Sequence, residues 1–414
     1  MEKVLLVKVY MDGKDADIGP DIEEMTGLIR TAGGELTGIL RIKRREISPA
    51  YYIGRGKAQE ISASYRDTAD VVIFDSDLKP VQIRNLENTT GKRIVDRTQL
   101  ILDIFAQRAH TSEGKLQVEY AQLSYLLPRL TGKGVELSRL GGGIGTRGPG
   151  ETKLETDRRR IRKKLQKIKQ ELKKAKDSRA RQRERRKSVP VPLAALVGYT
   201  NAGKTMLLNR LTGAGMLSED RLFATLDSKI KQYELPGGYR ILFSDTVGFI
   251  KKLPPHLIAA FRGTLEEVKE ADIILHVIDA SSPEAEKHRE TVYNILKELD
   301  SYDNKEIIEV NNKIDLISED ERRLVTDRKD GFYISAKTGE GIEKLVKGIE
   351  AVVSQEFAEH ELMVEQRNGK IVNMLYDEGI VVSRKDEEGG VKLKVKCMKK
   401  TLNRYLKLSE EKRK

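Results

Sequence analysis

A phosphate-binding loop is predicted in the stretch LAALVGYTNAGKTMLLNRL, residues 193–211. An apolar strand precedes G-x-x-x-x-G-K-T and a predicted helix follows it, which is the order that a nucleotide-binding P-loop requires. In such a loop, successive backbone N–H groups surround phosphate oxygens at the N-terminus of the helix. Lys204 supplies a cation to the β- and γ-phosphates, and Thr205 offers a hydroxyl to Mg²⁺. The sequence therefore predicts an α/β domain that binds a nucleoside triphosphate.

A second part of the phosphate site is predicted at DTVG, which follows the apolar strand YRILFSD. Asp245 ends this strand and is expected to hold Mg²⁺ through water, while the N–H of Gly248 reaches the γ-phosphate. Between the P-loop and DTVG lies LFATLDSKIK. The spacing of Thr225 predicts that it completes the Mg²⁺ shell when the γ-phosphate is present, so order in this loop would report the nucleotide state.

Two further segments indicate the base. The strand EIIEVNNKIDL ends with Asn312, Lys313 and Asp315. The Asp315 carboxylate can accept hydrogen bonds from N1–H and the 2-amino group of guanine, whereas adenine offers neither and would leave a buried acceptor unpaired. Lys313 is expected to pack along the base plane. FYISAK, which contains Ser335–Lys337, offers a backbone N–H to guanine O6. Together with the P-loop and DTVG, these segments predict GTP rather than ATP.

These assignments define the predicted site. The catalytic contacts are Lys204, Thr225 and Gly248. The Mg²⁺ ligands are Thr205 and Thr225, with Asp245 acting through water. The full GTP-binding set is Gly198, Tyr199, Thr200, Asn201, Ala202, Gly203, Lys204, Thr205, Phe223, Ala224, Thr225, Leu226, Asp227, Asp245, Thr246, Val247, Gly248, Asn312, Lys313, Ile314, Asp315, Ser335, Ala336 and Lys337.

Phe249 departs from the common pattern. Many GTPases carry glutamine directly after the D-x-x-G glycine, where its amide orients the attacking water. A phenyl ring cannot form that hydrogen bond, so hydrolysis is expected to be slow until a partner or another group supplies the missing function. Asn201 in the P-loop has two interpretations that stay open. Its amide oxygen could hold K⁺ against the phosphates, as in the potassium-activated GTPases, or it could be satisfied within its own loop.

The patterns outside the P-loop region predict a multidomain α/β chain with four parts. Alternating apolar strands and amphipathic helices indicate an N-terminal α/β domain at residues 1–114. Residues 115–188 are predicted to form an antiparallel helical hairpin, and VPVP then begins a P-loop GTPase domain at 189–355. Residues 356–414 are predicted to form a small α+β domain.

The hairpin prediction depends on two apolar stripes with helical spacing, which could bury against each other. The first stripe is Leu116, Tyr120, Leu123, Leu127 and Leu130. The second is Leu154, Ile161, Leu165, Ile168, Leu172 and Ala175. The glycine-rich GGGIGTRGPG, residues 141–150, would lie at the tip. It contains a G-x-G-x-x-G match, but this match follows a helix rather than a strand, so a dinucleotide-binding role is rejected.

All of the excess positive charge lies in one segment. The chain has a formal net charge of +12, and residues 151–187 alone hold 18 Lys/Arg against 6 Asp/Glu. A solvated helix face is the simpler interpretation, but one strongly basic element in an otherwise neutral chain favours a polyanionic partner such as RNA. The predicted RNA contacts are Arg147, Arg158, Arg159, Arg160, Arg162, Lys163 and Lys164.

Several classes of protein are disfavoured. The N-terminal stretch MEKVLLVKVY has too short an apolar run for a signal peptide, and no run approaches the ~20 residues of a membrane span. A single cysteine, Cys397, excludes an intramolecular disulfide, and the scattered histidines suggest no zinc site. We therefore expect a cytoplasmic protein, and a monomer.

The sequence resembles the HflX GTPases over nearly its whole length. The most specific pieces are IGRGKAQE, RAHTSEGKLQVEYAQLSYLLPRL, GGGIGTRGPGETKLETDRRRI, GYTNAGKT, LFATLD, DTVGFI and NKID. The resemblance implies a factor that binds the large ribosomal subunit and its rRNA and splits stalled or idle ribosomes, with the hairpin tip directed toward the peptidyl transferase centre. It also implies that Thr225 is the magnesium-sensing threonine and that Phe249 is a hydrophobic replacement for the catalytic glutamine.

Two positions depart from that family. Its P-loop lysine is usually followed by Ser-Thr, whereas this chain has Thr205 and Met206. Its switch loop commonly reads Pro-Thr-Thr where this chain has Ser228–Ile230. Two other functions stay open from the sequence: an RNA-binding GTPase of ribosome assembly, and a signalling switch without RNA, which the basic segment disfavours.

Overall fold

The computed structural model describes residues 1–11, 18–130, 149–187, 191–213, 222–223, 229–251, 267–299, 305–320, 322, 331–365, 368–387 and 389–410. By their contacts these residues form two compact units. The first comprises the described residues within Met1–Ala175, Glu219–Asp227 and Ile250–Gly263, and the second comprises the rest. Within the described part of the chain, no helix is both long and apolar enough to cross a membrane.

The described residues form thirteen strands. They are β1 (Lys3–Met11), β2 (Glu35–Arg44), β3 (Val71–Phe74), β4 (Arg93–Asp96), β5 (Leu193–Gly198), β6 (Lys229–Glu234), β7 (Arg240–Asp245), β8 (Ile273–Asp279), β9 (Glu306–Asn312), β10 (Phe332–Tyr333), β11 (Phe357–Val364), β12 (Ile380–Glu387) and β13 (Gly390–Met398). The longer helices are α1 (Gly19–Thr31), α2 (Arg55–Ser64), α3 (Pro80–Thr90), α4 (Arg97–Arg108), α5 (Ser112–Leu126), α6 (Pro149–Lys187), α7 (Lys204–Thr212), α8 (Ala285–Glu298), α9 (Ile342–Gln355), α10 (Gly369–Glu378) and α11 (Lys399–Glu410).

The first unit is built on a parallel sheet with strand order β2-β1-β3-β4. Helices cover both faces, which explains why β1 and β3 are continuous apolar runs rather than alternating ones. Leu5, Val7 and Phe74 pack in a cluster with residues of α2 and α3. The predicted alternation of strands and helices is therefore present in the structure, and it forms a parallel sheet.

A buried ionic cluster lies at the carboxyl end of this sheet. Asp75 follows β3, its side chain is 1% exposed, and it forms ion pairs with Lys8 of β1 and with Arg97, the first residue of α4. The Arg97–Asp75 distance is 2.7 Å. Lys8 also contacts Asp21 at 2.5 Å. Buried charges need partners of this kind because each one loses its hydration on folding.

Helix α5 is part of the first unit, and the face that it buries there is not the apolar stripe predicted from the sequence. Its buried residues are Gly114, Gln117, Val118, Ala121 and Tyr125. The predicted stripe of Leu116, Tyr120 and Leu123 is only half-buried. The reason lies at Asp96, which accepts hydrogen bonds from the Tyr125 hydroxyl at 2.7 Å and from Arg129 at 3.1 Å, and so fixes the rotation of the helix.

Helix α6 is long and largely exposed. Its side chains are described for residues 155–179 and for Arg181, and only Ile168 among them is fully buried. An ion pair between Lys164 and Glu119 links α6 to α5. Of the predicted tip loop, residues 131–150, residues 131–148 lie outside the described residues, and Pro149 and Gly150 begin α6 instead. The antiparallel hairpin therefore stays a prediction.

In the second unit, the described strands form two sheets. One has the order β10-β9-β8-β5-β7-β6, parallel except for β6. The other is the antiparallel sheet β11-β13-β12, whose core is shared with α10 and α11. The three sheets lie within the ranges 1–114, 189–355 and 356–414, and the four-domain division stays a prediction. Strand β5 has β8 on one side and β7 on the other, and ligands of open α/β sheets bind beside the carboxyl end of such a strand.

Candidate guanine nucleotide and magnesium site

The P-loop connects the end of β5 at Gly198 to the start of α7 at Lys204, as predicted. Gly203 directly precedes the helix with φ = +92°, and a Cβ at this position would lie 2.2 Å from Asn312 Nδ2. Only glycine allows both that backbone angle and that approach. The loop therefore directs its backbone toward the N-terminus of α7, where phosphate oxygens bind.

The Lys204 ammonium group is folded back along the loop. Its Nζ donates hydrogen bonds to the carbonyl oxygens of Gly198 at 3.1 Å and Tyr199 at 2.8 Å. Burial lowers the pKa of Lys204 to about 8, although the nearby Asp245 carboxylate opposes the shift. Phosphate anions would relieve this penalty by returning a negative partner to the buried cation.

The two predicted magnesium residues lie next to each other. Thr205 Oγ1 donates a 2.7 Å hydrogen bond to Asp245 Oδ2, and Asp245 is fully buried at the end of β7. A hydroxyl and a carboxylate are the hard oxygen donors that Mg²⁺ prefers, and such sites usually complete the shell with water and phosphate oxygens. The residues present therefore fit the ion, Thr205 as a direct ligand and Asp245 through water.

Gly248 and Phe249 pack against the P-loop. A Cβ at Gly248 would lie 2.8 Å from the Cα and the Cγ2 of Thr200, and 3.1 Å from Lys204 Nζ, so this approach requires glycine. The Phe249 N–H donates to Gly198 O at 3.1 Å, and Phe249 O accepts from the Thr200 N–H at 2.7 Å. The Phe249 ring is 5% exposed and packs in an apolar cluster with Val197, Ile274 and Val292 among others.

The base-recognition segments are joined to the P-loop by Asn312. Its Nδ2 donates to Ala202 O at 2.8 Å, and its Oδ1 accepts from the Ala336 N–H at 2.9 Å. Asn312 thus braces two loops. This contact engages the Ala336 N–H, one of the backbone groups that the sequence offered as a donor to guanine O6.

Asp315 and Lys313 are oriented by partners of their own. Asp315 Oδ1 accepts a 2.6 Å hydrogen bond from the Ser335 hydroxyl, which holds the carboxylate that is predicted to face the guanine edge. Lys313 has φ = +66°, and its Nζ lies 2.7 Å from Asp279 Oδ2 at the end of β8. A carboxylate and a hydrocarbon stem at this place are the groups that recognise a guanine edge and cover its face.

Sequence reasoning missed Arg210 in α7. Its guanidinium donates to the carbonyl oxygens of Ala336 and Lys337, the first at 3.1 Å, so it holds the loop predicted to meet the base. The available signal was an arginine in the last turn of the helix after the P-loop. Tyr199 was predicted as a GTP-binding residue of the P-loop, and its ring stacks on His288 with centroids 3.8 Å apart.

Some of the other predicted residues lie away from this site or outside the described residues. Phe223 belongs to the first unit, where its ring packs edge-on against Phe105 with centroids 4.6 Å apart. Of the predicted RNA contacts, the described ones lie on α6, where all except the half-buried Arg158 are exposed. The predicted residues outside the described part of the chain are Ala224, Thr225, Leu226, Asp227 and Arg147.

Comparison with known proteins gives four matching family models. Residues 20–106 match a GTP-binding GTPase N-terminal model and 108–186 a GTP-binding GTPase middle region. Residues 193–313 match a 50S ribosome-binding GTPase model, and 322–413 match an HflX C-terminal domain.

Full-length relatives are also similar. GTPase HflX of Alkalihalophilus pseudofirmus is 45% identical over 389 residues, which cover 94% of this chain and 91% of that protein. GTPase HflX of Escherichia coli strain K12 is 41% identical over 400 residues, covering 95% and 93%. Among solved structures, a GTP-binding protein from Sulfolobus solfataricus in complex with GDP is 25% identical, with a TM-score of 0.46 and coverage of 86% of this chain and 99% of that chain.

Proposed function

Since the chain belongs to the HflX family of GTPases, which hydrolyse GTP to GDP and phosphate, we propose that it is a cytoplasmic, ribosome-associated factor. It binds the large subunit through rRNA and, in the GTP-bound state, splits stalled or idle ribosomes. The matched GTPase model is described as 50S ribosome-binding, which supports the choice of subunit.

One observation carries this proposal: helix α6 presents a basic surface to solvent. Its exposed Lys and Arg side chains are Arg159, Arg160, Arg162, Lys163, Lys164, Lys167, Lys169, Lys173, Lys174, Lys176 and Arg181. Arg160 is 79% and Lys164 is 55% exposed, and the acids among them are few. A helix that buries one apolar side chain fully and holds this density of cations in water is suited to a phosphate backbone.

The nucleotide site supplies the switch in this proposal. Thr205 would hold Mg²⁺ directly and Asp245 would hold it through water, and Thr225 would join them when the γ-phosphate is present. The ion's chemistry is to neutralise charge on the β- and γ-phosphates. Asn201 is the residue through which K⁺ would act, and comparing hydrolysis in KCl with hydrolysis in NaCl tests that part separately.

The experiment is sedimentation of 70S ribosomes with the protein and GTP, a non-hydrolysable GTP analogue, or GDP. The GTP forms should convert 70S particles to subunits and co-sediment with the large subunit, and ribosomes should accelerate hydrolysis. Binding should weaken with salt, and the slope of log K against log salt should flatten by about 0.7–0.9 for each lost phosphate contact. The test variant carries glutamine at six positions of α6, in place of Arg158, Arg159, Arg160, Arg162, Lys163 and Lys164.

A control variant removes the same number of charges from other exposed positions. These are Lys269, Lys297, Lys344, Lys347, Lys385 and Lys399. The control should keep the parent slope and splitting activity. Equal effects of the two variants would mean that α6 is only a solvated helix face. Intact 70S particles with accumulated subunit precursors in cells lacking the protein would favour the assembly function instead.

A further inference from the structure

The group that orients the attacking water during GTP hydrolysis is not Phe249. Both backbone polar groups of Phe249 are bonded to the P-loop, its N–H to Gly198 O and its carbonyl to the Thr200 N–H. Its ring lies in the apolar cluster between the sheet and α8. The side chain at this position is therefore directed into the core, and the hydrogen bond that a glutamine amide would provide has to come from another residue.

Thr200 lies beside the two groups predicted to hold the γ-phosphate. Its Cγ2 is 2.8 Å from the place where a Cβ of Gly248 would be, and that place is 3.1 Å from Lys204 Nζ. The Thr200 side chain thus lies between the P-loop and DTVG, at the end of the loop where the terminal phosphate is expected.

The hydroxyl of Thr200 has an unusual environment. The residue is 6% exposed, and Oγ1 is fully buried without a hydrogen-bond partner among the described residues. Two other threonines of the second unit differ: Thr246 Oγ1 donates to Leu196 O at 2.6 Å, and Thr212 Oγ1 donates to Leu208 O at 2.8 Å. A buried hydroxyl without a partner is unfavourable unless a ligand completes it, so it points to a polar group that arrives with the nucleotide.

We propose that Thr200 is a catalytic residue whose hydroxyl hydrogen-bonds to the attacking water. A hydroxyl can accept from water through a lone pair and donate through its proton, which matches the two capacities of a glutamine amide. The water oxygen forms a bond to the γ-phosphorus as the bond from that phosphorus to the β–γ bridging oxygen breaks. GDP leaves with that electron pair, and the proton released by the water passes to phosphate or solvent. Thr200 forms no covalent bond.

The test compares Thr200→Val, Thr200→Ser and Thr212→Val in the full chain, without ribosomes and with KCl held constant. Valine keeps the shape of threonine but removes the hydroxyl, and serine keeps the hydroxyl. Single-turnover hydrolysis by Thr200→Val should fall by about tenfold or more, the size of one hydrogen bond made in the transition state. Thr200→Ser should recover most of the rate, and Thr212→Val should match the parent.

Dissociation constants of GTP and GDP, measured with fluorescent analogues, should stay within about twofold of the parent, because the bond forms to water rather than to the nucleotide. Parental hydrolysis by Thr200→Val would overturn the proposal. Equal losses of GTP and GDP affinity would also overturn it, because they would indicate a role in P-loop packing. A selective loss of GTP affinity at an unchanged rate would overturn it as well, because the hydroxyl would then bind the γ-phosphate. If Thr200→Val does not fold, Thr200→Ala against Thr200→Ser gives the same comparison.

Discussion

Replacing Phe249 with glutamine restores the residue that many GTPases carry at this position, yet we expect it to damage this protein. The Phe249 ring is 5% exposed and packs with Val197, Ile274 and Val292. Removing a buried phenyl ring usually costs about 3–5 kcal/mol, and the buried amide of glutamine adds a desolvation penalty of about 1–3 kcal/mol unless it finds a partner. For a unit of this size, each kcal/mol lowers Tm by roughly 2–4 °C, so a fall of about 10 °C or more is expected.

The assay is thermal unfolding followed by circular dichroism, with and without GDP, together with single-turnover hydrolysis at a temperature where both proteins are folded. Phe249→Leu is the control, since an apolar replacement of similar volume costs less than about 1.5 kcal/mol. Neither variant should hydrolyse GTP faster than the parent. A Phe249→Gln protein with parental Tm and accelerated hydrolysis would refute the reasoning, because its amide would then face the nucleotide rather than the core.

Other expected outcomes follow from the same structure. Asp75→Asn leaves Lys8 and Arg97 without their shared buried carboxylate, so the first unit should lose about 3–5 kcal/mol in denaturant unfolding, whereas exposed Asp70→Asn should lose little. Asp315→Ala should reduce GTP affinity by about 100-fold or more without creating ATP binding; retained guanine selectivity would contradict the base assignment. Burial lowers the pKa of Lys204 to about 8, and a bound phosphate should raise it again. GDP binding should therefore take up protons at about pH 8.5 and cease to do so near pH 6.5, where the ammonium is already charged; calorimetry in buffers of different ionisation enthalpy measures this.

The sequence predicted the parts of the site that are local in the chain. The P-loop lies between β5 and α7 because its glycines and the apolar strand before it leave few alternatives, and Thr205 and Asp245 lie within hydrogen-bond distance because both follow neighbouring parallel strands. Long-range contacts were not predictable in this way. The buried face of α5 depends on the bond from Tyr125 to Asp96, 29 residues away, and it contains small residues that give a weak periodic signal.

The role of Phe249 was also only partly predictable from the sequence. The pattern indicated what this residue lacks as a hydrogen-bonding group, but not what it contributes, since its apolar cluster combines residues from three separate strands and helices. The Thr200 hydroxyl has no hydrogen-bond partner among the described residues. The sequence could not indicate this, because a threonine in a P-loop has no spacing or neighbour that shows where its Oγ1 lies.

The Asn312 side chain forms two hydrogen bonds, one to Ala202 O in the P-loop and one from the Ala336 N–H near the predicted base site. These bonds affect how the parts of the nucleotide contribute to affinity. Ordering one of these loops also restrains the other, so a ligand that binds to either loop incurs most of the conformational entropy cost of ordering both. Guanosine alone or pyrophosphate alone would incur most of that loss for half of the contacts. The binding free energy of intact GDP should therefore exceed the sum for its two fragments, and the site should discriminate strongly against incomplete nucleotides.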